Sequence, residues 1–122
     1  MFDITSGEAR LLLDIALMAT GRNRFKSAET ILAALEAFRP CSEQLAVARM
    51  ILAISMGELQ EAVDFADRKG LADHPDSAML KAFKGMALLR LERTVEAMSV
   101  MGEAAAQTDD PVAARLAKDM MT

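Results

Sequence analysis

Few side chains in this 122-residue chain have the types and spacing that could do chemistry. His74 is the single histidine, and histidine is the usual base beside a catalytic nucleophile. It stands between Asp73 and Pro75, a setting that reads as a polar residue in a helix-start turn. Cys41, the single cysteine, follows Pro40 and reads as a small semi-buried residue of another turn. Zinc needs four Cys or His ligands, or three and a water, so one of each could serve it only between subunits. Glu58 with Glu61 and Asp64 with Asp67 lie at helical spacing. Such pairs do acid and base work when burial separates their pKa values, but here they flank Arg68 and Lys69 on what reads as a water-facing stripe. The six glycines form no phosphate-binding loop and mark turns or close helix contacts. The expectation is a protein that is not an enzyme and has no cofactor or metal.

The elements that position these residues repeat. Ala28, Ala62 and Ala97 lie 34 and 35 residues apart, and Pro40, Pro75 and Pro111 lie 35 and 36 apart. That is the period of tetratricopeptide-type helical hairpins, which stack into a curved array with an inner groove. Thr5 to Glu8 has capping-box spacing and predicts a helix over about 6–20, with Leu11, Leu12, Ile15, Ala16 and Ala19 on one face and Gly21 to Asn23 ending it. A second helix over about 24–38 buries Phe25, Ala28, Ile31, Leu32 and Leu35 until Arg39-Pro40 stops it. Ser42 caps a third over about 43–56. Gly57 precedes a fourth over about 58–69, with Leu59, Ala62, Val63 and Ala66 inward, Glu61, Asp64 and Arg68 outward and Gly70 at its end. A fifth starts at Pro75 and reaches Leu91, and a sixth covers about 94–106. Asp110 caps a last helix, opened by Pro111, with Val112, Leu116 and Met120 on one side. The expected fold is all-α, one domain over 1–122: three hairpins at about 6–40, 42–74 and 75–110, and a closing helix at 111–121 that covers the open apolar end.

Composition agrees with a binding module. Hydrophobic residues make up 52% of the chain but aromatics only 4%, without Trp or Tyr, so the core is Leu, Ala, Ile and Met. Ten methionines suit irregular core gaps or an adaptable binding surface. A net charge of −4, with no run among the 14 Lys and Arg, argues against nucleic acid. The longest charge-free hydrophobic stretch, Met50 to Gly57, is far short of the ~20 residues of a membrane span. The lone cysteine and the absence of a basic-then-apolar start point to a soluble cytoplasmic protein.

In such a stack the first helix of each hairpin lines the groove, and two registers are open. Polar residues taken as marks of the exposed side place Arg10, Leu13, Asp14 and Leu17 there, followed by Leu45, Ala48, Arg49 and Leu52, then Lys81, Lys84, Gly85 and Leu88. A strict register anchored on the three alanines places Val47, Ile51, Ile54, Met79 and Met86 there instead. Both leave a largely apolar trough that suits an amphipathic helix read at i, i+3, i+4 and i+7.

Several segments carry a resemblance to a known family. They are Ile15 to Gly21 with Ala28 and Ile31, Arg49-Met50 running to Met56 to Leu59, Arg90-Leu91 before a short turn, and Asp110-Pro111 with Ala117 to Met120. From about Ala9 to Met121 the chain resembles the small tetratricopeptide-like chaperones of bacterial type III secretion that guard the needle subunit before export. The resemblance implies a groove holding the amphipathic C-terminal helix of the needle protein, and a second small helical co-chaperone as partner. The chain departs by having Phe83 and Leu89 where relatives often carry tryptophan and tyrosine. A rival reading is a tetratricopeptide adaptor clamping an acidic or C-terminal peptide through Arg49, Lys81 and Lys84.

Overall fold

The computed structural model describes residues 5–38 and 42–122. Among them all regular structure is helical: α1 (Ser6–Gly21), α2 (Phe25–Phe38), α3 (Glu43–Ser55), α4 (Leu59–Phe65), α5 (Ala78–Arg90), α6 (Thr94–Ala106) and α7 (Pro111–Met121). α4 runs on through a π-helical stretch, Ala66–Gly70, and a last turn, Leu71–Asp73. None of these helices is long and apolar enough to cross a membrane. The expected stop of α2 at Arg39-Pro40, and Cys41, lie outside the described residues.

Helix starts follow the chain's own caps. Thr5 accepts the Glu8 N–H at 3.1 Å while the Glu8 carboxylate accepts the Thr5 N–H at 3.4 Å, the reciprocal capping box. Ser42 accepts from Leu45 N and Asp110 from Ala113 N. α5 departs from expectation: its cap is Ser77, which accepts the Leu80 N–H at 3.2 Å, so the helix starts at Ala78 and Pro75 belongs to the preceding turn. Gly70 is likewise no left-handed terminator. Its φ is −55°, it is buried beside Leu80 and Phe65, and helical structure continues to Asp73.

The three hairpin turns share one geometry. Asn23, Gly57 and Glu92 have φ of 61°, 79° and 62°, and they lie 34 and 35 residues apart. After each, the next N–H reaches back five residues: Arg24 to the Ala19 carbonyl, Glu58 to Ala53, Arg93 to Leu88, at 2.8, 2.9 and 2.9 Å. The left-handed residue itself donates to Thr20, Ile54 or Leu89. This is the Schellman closure of a helix, made three times.

Each helix packs on the next, and α1 also meets α3, α3 meets α5, and α5 meets α7. Ala28, Ala62 and Ala97 are fully buried, their small side chains letting the helices approach closely. One apolar group, including Leu32, Leu35, Leu45 and Leu52, joins α1 to α3, and another, including Val63, Leu88 and Met101, joins α4 to α7. Met50 and Leu80 bridge them with Ala46 and Ala66.

Two expected faces are corrected. On α1, Leu11 and Ile15 are 60% and 41% exposed, and the buried residues are Ala16, Ala19 and Thr20. α1 is apolar nearly all round, so its periodicity does not select a side. On α7, Val112 is 70% exposed, whereas Ala113, Ala114 and Ala117 are buried and Leu116, Met120 and Met121 pack against the core.

Candidate functional site

Among the described residues a groove of about 560 Å³ opens where α1 and the first half of α3 meet Met79 of α5. That volume lies within the range of about 300–1,000 Å³ typical of binding sites. Ala9, Leu13 and Leu17 of α1 form one wall, Leu45, Val47 and Ala48 of α3 the other. Leu13, Leu17, Val47 and Met79 are half-buried, so they close the core from beneath while offering apolar surface above. Arg10, Asp14, Glu43 and Asp110 stand around them.

The structure thus brings together Leu13, Leu17 and Ala48 from the polar-marker register, and Val47 and Met79 from the alanine register. Arg10, Asp14 and Leu45 of the polar-marker register also line the groove, whereas Arg49, Ile51, Leu52, Lys81, Lys84, Met86 and Leu88 lie outside it. Leu52 and Leu88 are buried in the core. Ile51 and Met86 are half-buried outside the groove lining, Met86 packing against the α4–α7 core. Arg49 and Leu52 line a separate, smaller recess with Glu29, Met56 and Arg68. There the Arg49 guanidinium donates from Nε to Glu36 Oε1 at 3.1 Å and also pairs with Glu29. Burial pulls the Arg49 pKa down, but its hydrogen bonds to both carboxylates and their charges outweigh it, and the net displacement is upward. Lys81 donates to Gln107 Oε1 at 2.8 Å and lies 3.8 Å from Glu103. Lys84 pairs with Asp67 at 2.6 Å. The three cations proposed to clamp an acidic peptide are therefore each engaged with different neighbours, and none of them lines the groove. Their long stems carry the charge sideways toward other helices, which the polar-marker register did not allow for.

Ser6, Ser42, Glu43 and Gln44 were missed as groove residues, and Asp110 was read only as a cap. The starts of α1, α3 and α7 meet here because the short hairpin turns make alternate helices run the same way; the caps in the sequence were the signal. His74 lines a recess of about 190 Å³ with Glu36, Ser42 and Lys69, which adjoins the groove at Ser42 and Leu45 while His74 itself is not in the groove lining. Glu61, Asp64 and Arg68 are exposed, as the stripe predicted.

No protein-family model and no curated protein sequence matches this chain.

Proposed function

We propose that the chain is a non-enzymatic export chaperone of tetratricopeptide-like architecture. Acting in the bacterial cytoplasm, it holds an amphipathic helix of a type III secretion needle subunit in its groove and prevents premature polymerisation. The observation that carries this reading is the apolar groove bounded by Leu13, Leu17, Val47, Ala48 and Met79. A helix seated there hides its apolar face from other copies of itself, because one surface does not make both contacts at once. The three like turns at 34- and 35-residue intervals support the repeat architecture. The outer side of α1 supports a second partner. Leu11, Ile15 and Met18 make an exposed apolar stripe there, 60%, 41% and 58% accessible, which suits the helical co-chaperone the resemblance implies.

The test is needle polymerisation followed by light scattering, with and without stoichiometric chain. Wild type suppresses assembly. Leu13→Asp keeps its helicity and loses suppression, since an unpaired carboxylate against an apolar helix costs on the order of several kcal/mol. Assembly at the same rate with and without wild-type chain would refute the proposal.

A further inference from the structure

We infer that the groove takes an amphipathic helix that is basic beside its apolar face, an inference that rests on the groove reading above. The full charges around the groove are three carboxylates, Asp14, Glu43 and Asp110, against one guanidinium, Arg10. Among the described residues, none of Asp14, Glu43 and Arg10 takes part in an ion pair. Arg49, Lys81, Lys84 and Arg93, which lie outside the groove lining, each pair with a carboxylate of their own fold. The apolar groove thus carries an excess of carboxylates over cations on its rim, with Asp14 and Glu43 engaged in no ion pair. Helix starts attract anions through their unbonded amides, but those meeting at this end are already capped, α1 by Thr5, α3 by Ser42 and α7 by Asp110. The field over the groove is thus negative. A helix whose flanking positions carry Lys or Arg is drawn in, and one flanked by Glu or Asp is repelled.

Two synthetic helical peptides of about 16 residues, some four turns, test this against the full-length chain by calorimetric titration. Both carry the same apolar i, i+3, i+4, i+7 face; one has Lys at the flanking positions and the other Glu. The expected result is that the Lys peptide binds about tenfold tighter at low salt and that the gap narrows as salt rises. Asp14→Lys and Glu43→Lys, checked for retained helicity, narrow or reverse it; if either unfolds, Asp14→Asn and Glu43→Gln serve in its place. Equal binding of both peptides, or tighter binding of the Glu peptide, overturns the charge preference and leaves the groove standing. Binding of neither peptide overturns the groove reading, and the preference falls with it.

Discussion

A methyl group added at Gly85 would lie 2.2 Å from Met101 Cγ and 3.3 Å from Val100 Cγ1. Met101 is fully buried, so neither its stem nor α6 has room to yield. Overpacking of this kind costs about 1–3 kcal/mol, while alanine gains up to about 1 kcal/mol over glycine in helix propensity. Gly85→Ala should therefore destabilise by about 1–2 kcal/mol in chemical denaturation, and an unchanged midpoint would contradict the close α5–α6 crossing. A charge of the opposite kind sits at the start of α6. The Glu96 pKa is lowered by its hydrogen bond from Arg93, at 2.7 Å between Nη2 and Oε2, and by that charge. A carboxylate depressed in the fold contributes stability above its unfolded pKa and loses it as pH falls through the folded value. Glu96→Gln should thus be slightly less stable than wild type at neutral pH and equal to it at strongly acid pH. A difference that persists in acid, measured by paired thermal melts, would assign the effect to something other than this pair. The groove was legible at this scale on α1, where Arg10 and Asp14 mark its rim as read, and less so on α3 and α5. Leu13, Leu17 and Ala48 were readable, but the types of Arg49, Lys81 and Lys84 say nothing about which way their stems lie.

The Schellman turns are the recurring element, and they set opposite signs for two glycines. Gly57 has φ of 79°, where a Cβ costs about 1–2 kcal/mol. Gly102 sits in the exposed middle of α6 with nothing within 4 Å of where a Cβ would be. Gly57→Ala should lose about 1 kcal/mol and Gly102→Ala gain 0.5–1 kcal/mol, about the propensity difference. Urea midpoints moving in the same direction would contradict one of the two assignments. The helices themselves were mostly readable because punctuation is local. Thr5, Ser42 and Asp110 cap where their side chains reach the third amide on, and Gly57 ends a helix because it has no Cβ to clash. Pro75 misled because a proline suits a first helical turn, yet Ser77 two residues later supplies an actual hydrogen bond. The π-helical stretch Ala66–Gly70 had no sequence signal, since its residues are ordinary helix formers and a single glycine.

Over the whole molecule, α7 is the last helix and packs against α5 and α6. Ala113 and Ala117 are fully buried, and Leu116, Met120 and Met121 lie on the α4–α7 core. Deleting residues 111–122 should expose the sides of α5 and α6, cut helicity by more than the missing residues account for, and lower the melting temperature by about 10 °C or more, as a loss of a few kcal/mol does at this size. Full retained stability by circular dichroism would make α7 a free tail. The two ends of the chain differ among the described residues: α5 packs on α3, α4, α6 and α7, whereas α1 packs mainly on α2 and α3. Where contacts run mostly between near neighbours in sequence, opening is graded along the chain and is not all-or-none. Amides of α1 should exchange with deuterium at least about tenfold faster than those of α5 and α6, and uniform protection would show one cooperative unit. As the first described helix, α1 is also a wall of the groove, so the chain would spend part of its time with that wall frayed. An occupant bridging α1 to α3 would slow exchange most in α1, far more than in α6, which makes the position of slowed exchange a readout of binding that needs no mutation.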